Sequence, residues 1–255
     1  MDKADFIGGE GACLNCETQV SGKYCSNCGQ KFQPTKLPLR IYLEDSVETL
    51  FNVDNRVFKT LKDLFLKPGK VTKDYIEGNR ASYLPPLRIY ISISFIYFLL
   101  AALSDSNQVF FINFGEETTG MSEIAEKIQF ALFFMVPYMA LLIQLFYRKR
   151  KAFYVEYLIF AMHIHSIWFV LLCIELLTVY LQNFVPEDFS DPLYYPIFIL
   201  SSASQLLTFG YLIIGLRRVF ESSWGGAFAK AFGIILLYFL TLGFAGFSIL
   251  LLFKS

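Results

Sequence analysis

The sequence predicts a mainly α protein: a polytopic membrane bundle of five transmembrane helices, preceded by a small N-terminal cysteine ribbon and amphipathic cytoplasmic helices. Three observations carry this. Apolar residues fill 55% of the 255 positions, 28 of them Phe and 15 Tyr, and mean hydropathy is +0.47, far from a soluble balance. Four of the five cysteines fall between Cys13 and Cys28 as two C-x-x-C pairs. Acids and bases cancel at 22 each, so net charge points to no nucleic-acid partner, but the two signs are placed unevenly along the chain.

Taken in order, residues 1–12 read as a flexible N-terminus. The opening MDKADFIGGEGAC has no basic stretch leading into an apolar core, which predicts that no leader is cleaved and that the N-terminus stays in the cytoplasm. Residues 13–33 follow as a metal ribbon. Cys13 with Cys16, and Cys25 with Cys28, are each spaced so that a tight knuckle turns both thiolates toward one point, and Gly29 permits the bend after the last ligand. Ser21-Gly22 supplies a turn between the pairs, where a two-stranded hairpin fits. In a reducing compartment this pattern means structural Zn2+, because so small a unit has no core of its own. A redox dithiol is the competing reading, but the strand-then-helix setting of such motifs is missing. Four thiolates fill a tetrahedral zinc and leave no position for a substrate.

Residues 37–84 read as amphipathic helices. Leu43, Val47, Leu50, Phe51, Val57, Phe58, Leu61, Leu64 and Phe65 recur at helical spacing up to Pro68-Gly69. They form one helix, or two broken near Asn52 to Asn55 with Asp54 as N-cap, and a short helix over Lys70 to Glu77 is stopped by Gly78. Lys59, Lys62, Lys67, Lys70, Lys73 and Arg80 suit this segment to the anionic cytoplasmic leaflet or to the inner mouth of the bundle. Packing on the protein's own loops is the alternative.

The transmembrane domain, 87–255, has five apolar runs of spanning length, at about 87–104, 128–147, 153–184, 192–216 and 228–253. Bases gather before the first run, in the second loop (Arg148-Lys149-Arg150-Lys151) and in the fourth (Arg217, Arg218, Lys230). The first loop carries Asp105, Glu116, Glu117, Glu123 and Glu126 against Lys127 alone, and the third carries Glu187, Asp188 and Asp191 without a base. The alternation predicts a cytoplasmic N-terminus and a periplasmic or external C-terminus. Pro137 is expected to kink the second span, and Gly210, Gly215, Gly233, Gly243 and Gly246 to let helices approach closely. Tyr194, Tyr195 and Trp224 read as interfacial anchors, and Cys173 as a small buried hydrophobe.

The third span, YVEYLIFAMHIHSIWF and onward, holds Glu156, His163, His165 and Glu175, an intramembrane polar seam. At 100° per residue His163 and His165 point to nearly opposite sides, whereas Glu156 and His163 share a face about 10 Å apart along the axis. A metal here needs ligands from other spans, which offer no Asp, Glu or His well inside them. The histidines therefore read as bonded to Ser, Thr, Tyr or backbone groups of neighbouring helices, with a proton path through Glu156, His163 and Glu175 as the alternative.

The cysteine knuckles, the segment FNVDNRVFKTLKDLFLKPGKVTKDYIEGNRASYLPPLRIYISISFIYFLL and the histidine-bearing helix together resemble the bacterial family called domain of unknown function 3667. The Leu-Lys-Pro-Gly-Lys-Val … Tyr-Ile-Glu-Gly run is the most specific part. The resemblance implies a small bacterial inner-membrane protein with an N-terminal zinc ribbon, and it brings no established activity with it. In topology only, the chain is similar to Yip1-type membrane proteins.

No phosphate-binding glycine loop, nucleophile elbow or H-E-x-x-H motif occurs, and neither does an internal repeat. The expected function is non-enzymatic: an anchor, adaptor or sensor in the lipid bilayer whose ribbon binds a cytoplasmic protein or the membrane surface. The alternatives are a small transporter or proton-coupled channel using Glu156, His163 and Glu175, and an intramembrane metalloenzyme.

Overall fold

The computed structural model describes residues 8–35, 38–48, 56–103, 108–109, 112–113, 133–182 and 194–253. The chain is mainly helical. A two-stranded ribbon, β1 (Glu10–Ala12) with β2 (Gln19–Ser21), leads into three short helices, α1 (Leu39–Glu48), α2 (Val57–Leu66) and α3 (Lys70–Ile76). The longer helices are α4 (Pro86–Leu103), α6 (Tyr154–Gln182), α7 (Tyr194–Phe220) and α8 (Trp224–Phe253), with the shorter α5 (Val136–Phe146) before α6. A minimal hairpin, β3 (Gln108–Val109) with β4 (Ile112–Asn113), follows α4.

Among the described residues three helices are long and apolar enough to cross a membrane: Pro86–Leu103, Tyr154–Thr178 and Trp224–Phe244. They differ in burial: 83% of the apolar window of α6 is covered by protein, against 33% for α4 and 28% for α8. Helix α6 is therefore the axis of the bundle, with α4, α5 and α7 packed around it and α8 against α5 and α7. The outward side of α8 presents Phe228, Phe232, Leu236, Leu240 and Phe244, an exposed apolar ridge at i, i+4 spacing. A face this large and this apolar requires a hydrocarbon solvent.

Ends of helices follow local chemistry. Glu156 Oε1 accepts the backbone N–H of Phe153 at 3.1 Å, closing the first turn of α6 as a capping-box acid. Arg217 and Arg218 lie in the last turn of α7, where they oppose the negative end of its dipole. Ser223 precedes α8, and its Oγ accepts from the N–H of Gly226 at 3.2 Å.

Several expectations change. Pro137 stands in the first turn of α5, where its missing N–H costs nothing, and a one-residue turn at Met135 separates α5 from the helical Phe133 and Phe134. The rest of that predicted span, 128–132, lies outside the described residues, as do Asp54 and the break at 52–55. The N-cap position of α2 is taken by Arg56, which makes no side-chain cap. Strand β1 falls within the stretch read as a flexible N-terminus. Gly215 and Gly233 do give way to neighbours: an added Cβ would sit 3.1 Å from the Phe160 ring and 2.6 Å from the Phe146 ring, respectively. Gly210 and Gly243 meet nothing within 4 Å.

The amphipathic helices pack on the bundle. Leu64, Val71 and Tyr75 are buried in the same core as α6, and the Tyr42 hydroxyl lies 3.8 Å from Met162 Sδ. Tyr211 of α7 donates to the Leu64 carbonyl, Arg218 donates to the Pro68 carbonyl at 2.6 Å, and Lys73 pairs with Glu221 at 3.1 Å. Gly69 has φ of +75° in the turn between α2 and α3, and a Cβ there would approach Gly215 Cα to 3.0 Å. Only glycine satisfies both the left-handed turn and this crossing.

Candidate metal centre and intramembrane polar residues

The four predicted cysteines converge. Their Sγ atoms all lie within 4.8 Å of one another, with Cys13 to Cys28 at 3.6 Å and Cys16 to Cys25 at 3.5 Å. A tetrahedral ion with bonds of about 2.3 Å to sulfur separates its ligands by about 3.8 Å, so the set fits a metal of that kind. Backbone bonds build the two knuckles: Cys13 N–H donates to the Thr18 carbonyl, Glu17 N–H to that of Cys13, Cys25 N–H to Gln30 and Gly29 N–H to Cys25. Gly29 takes φ of +70° at the second knuckle. Cys13, Val20 and Cys25 form the ribbon's own small core, with Phe32 packed against it.

The thiols are not equivalent. Hydrogen bonds from the Thr18 side chain and backbone bring Cys16 down to about 6, whereas burial pushes Cys28 up to about 12. Metal binding takes the ligands as thiolates, so the Thr18 bonds favour the binding form of Cys16 and burial opposes that of Cys28.

The ribbon is docked. Two residues after Cys28, the Gln30 side chain donates to the Gly78 carbonyl at 2.8 Å and accepts from the N–H groups of Arg80 and Ala81 at 3.0 and 2.8 Å. Lys31 pairs with Asp45 of α1 at 2.8 Å, and Ser82 bonds to Asn15 at 2.9 Å. The segment 78–82, which leads into α4, is thereby held by the ribbon.

The basic residues predicted for a membrane surface divide. Lys67, Lys70 and Lys73 pair with Asp63, Asp74 and Glu221 at 2.7, 2.5 and 3.1 Å. The Lys67 bond holds Asp63 below its ordinary range, and the Asp74 and Tyr83 bonds hold Lys70 above its own. Arg80 donates to the Thr35 carbonyl at 2.7 Å, which ties it to the end of the ribbon. Lys59 and Lys62 stay exposed, Lys59 within 5.2 Å of the Tyr83 ring centre.

The four ionisable residues of α6 do not form one site. Glu156 caps its helix and lies 4.0 Å from Arg150. His163 Nδ1 is 2.8 Å from Thr72 Oγ1 on α3, and its Nε2 is buried with no hydrogen-bond partner. His165 Nδ1 donates to the Ala161 carbonyl at 2.8 Å, leaving Nε2 of the neutral ring to accept from the Tyr238 hydroxyl of α8 at 3.0 Å. Glu175 is buried nearer the far end, roughly 28 Å along the axis from Glu156 at 1.5 Å per residue. Among the described residues only the four cysteines cluster as metal ligands do.

Sequence reasoning did not find Thr72, Tyr238 or Gln30. Thr72 is a polar residue on the buried face of α3 beside Val71 and Tyr75, and Tyr238 is one of 15 tyrosines. Only the helix-start signal of Phe153 and Glu156, three apart after a basic loop, was there to be read.

No curated protein and no solved structure matches the chain, so the Yip1-type likeness has no support. Residues 54–98, from the approach to α2 through most of α4, match the family described as Protein of unknown function (DUF3667).

Proposed function

We propose that this is a non-enzymatic membrane adaptor or sensor of the bacterial inner membrane, in which a four-cysteine zinc ribbon on the cytoplasmic face reports or recruits a partner through a five-span anchor. The observation that carries it is the pairing of a closed thiol set with a docked ribbon. Four sulfurs leave a zinc no open position for chemistry, and Gln30 transmits the ribbon's geometry to the segment entering α4. The ribbon carries Tyr24, 59% exposed at the rim of the cleft that the ribbon forms with α1 and the segment before α4, as a contact surface. The experiment is a photo-crosslinker at Tyr24 in the full chain in its native membrane, with metal content measured in parallel. One zinc per chain and a discrete protein adduct are expected, both lost on Cys25→Ser or Cys28→Ser. Unchanged metal content in those variants would remove the zinc assignment, and an adduct that survives metal loss would remove the ribbon's role.

One observation favours the transporter reading instead. The unpartnered Nε2 of His163 is a nitrogen buried inside the bundle that could take up a proton or a water. On that reading, His163→Ala with His165→Ala abolishes a pH-dependent flux in liposomes while the protein stays folded. A structural role predicts lower thermal stability and no flux to lose.

A further inference from the structure

The α5–α6 loop and the α7–α8 turn, separate in sequence, close around one cleft of about 730 Å3 at the ribbon-bearing end of the bundle. Arg148, Lys149 and Arg150 enter it from the first, Glu221 and Ser222 from the second, and Lys230 from the second turn of α8. Of these cations only Arg150 has a carboxylate partner among the described residues, Glu156 at 4.0 Å. Arg148 and Lys149 are exposed and make no side-chain hydrogen bond or ion pair among the described residues. Lys230 is held with Nζ 3.8 Å from the centre of the Tyr147 ring, a contact that leaves its charge intact. Arg150 is braced by the Val219 carbonyl at 3.2 Å. The one carboxylate among the lining residues, Glu221, is engaged 3.1 Å away by Lys73 of α3. The Ser223-capped start of α8 adds the positive end of a long helix dipole to the same side.

We propose that this cleft binds the phosphate headgroup of an anionic phospholipid. Four cations line the open cleft, three of them without a carboxylate partner among the described residues, and this favours a phosphate. The neighbouring apolar surface selects a lipid over a soluble phosphate. Leu145 lines the cleft and is 55% exposed, and Phe228, 53% exposed, begins the apolar ridge of α8 one turn from Ser223. A headgroup seated among the bases would lay its acyl chains along that ridge. The site requires only that the bundle sits in a bilayer, and it is independent of whether the ribbon recruits a partner.

The test is native mass spectrometry of the full-length protein in detergent, titrated with phosphatidylglycerol and, separately, with phosphatidylcholine. One phosphatidylglycerol is retained, and phosphatidylcholine is not. Arg148→Gln with Lys149→Gln, both exposed and so compatible with folding, weakens retention by about thirtyfold, at about fivefold per charge. The charge-matched control Lys23→Gln with Arg40→Gln, on the ribbon and α1, retains the lipid as wild type does. Equal retention by wild type and the Arg148/Lys149 variant, or equal loss in the control, overturns the site. Displacement of phosphatidylglycerol by millimolar inorganic phosphate overturns the lipid and leaves a soluble phosphate as the ligand.

Discussion

At the scale of single residues, the intramembrane ionisable groups resolve into separate local tasks. Glu156 would be costly within a bilayer, but at the first turn of α6 it satisfies a backbone donor and faces Arg150. His165 is saturated by Ala161 and Tyr238. His163 differs, because its one partner, Thr72, is fully buried and belongs to α3 rather than to a spanning helix. Replacing Thr72 with Val keeps the shape and removes the hydroxyl, so Nδ1 of His163 loses its partner and joins Nε2 in having none. The cost is about 1–3 kcal/mol, read as a lower melting temperature in detergent, with Thr72→Ser restoring most of it. An unchanged melting temperature in Thr72→Val would mean that the bond contributes nothing to the docking of α3. The helical period alone separates the two imidazoles by about 200°, so their facing different neighbours was legible. Which hydroxyls meet them was not, because that depends on how distant segments pack.

At the scale of elements, spacing was informative wherever a short-range rule applies. Two C-x-x-C pairs define a knuckle geometry within about 15 residues, and the Pro68-Gly69 and Gly78 stops bound α3 as they stand in the chain. The surface against which α2 and α3 rest obeys no such rule. Their amphipathic pattern is the same for a lipid surface and for a protein one, and the structure packs them on α6 and α7. The decisive position is Gly69, whose left-handed φ and contact with Gly215 seat α3 under α7. Gly69→Ala pays for a left-handed non-glycine residue, roughly 1–2 kcal/mol, and for a Cβ pressed against backbone that has no rotamer with which to retreat. Faster proteolysis between α2 and α4, together with a lower melting temperature, is the expected result. Ala at Gly210, where an added Cβ meets nothing within 4 Å, leaves both measurements unchanged.

At the scale of the whole molecule, the charge alternation and the packing constrain each other. The ribbon, α1 to α3, the Arg148 loop and the Glu221 turn are joined by Gln30–Gly78, Lys31–Asp45, Arg218–Pro68, Lys73–Glu221 and Arg150–Val219 bonds, so they occupy one end of the bundle. That end gathers bases of the kind that mark a cytoplasmic face, whereas the sequence stretches 105–127 and 183–193 are acid-rich. If the ribbon is cytoplasmic, connecting five spans requires the second and fourth loops inside and the first and third outside. Reporter fusions test each loop in turn. A fluorescent protein that matures only in the cytoplasm should be bright after Lys149 and after Ser222. Alkaline phosphatase, active only outside, should be active after Glu117, Glu187 and Ser255. An even number of crossings would place the Ser255 fusion on the same side as the ribbon and break the five-span reading. A phosphatase-active fusion after Lys149 would go further, because the lipid cleft would then face the outer surface, away from the most anionic leaflet.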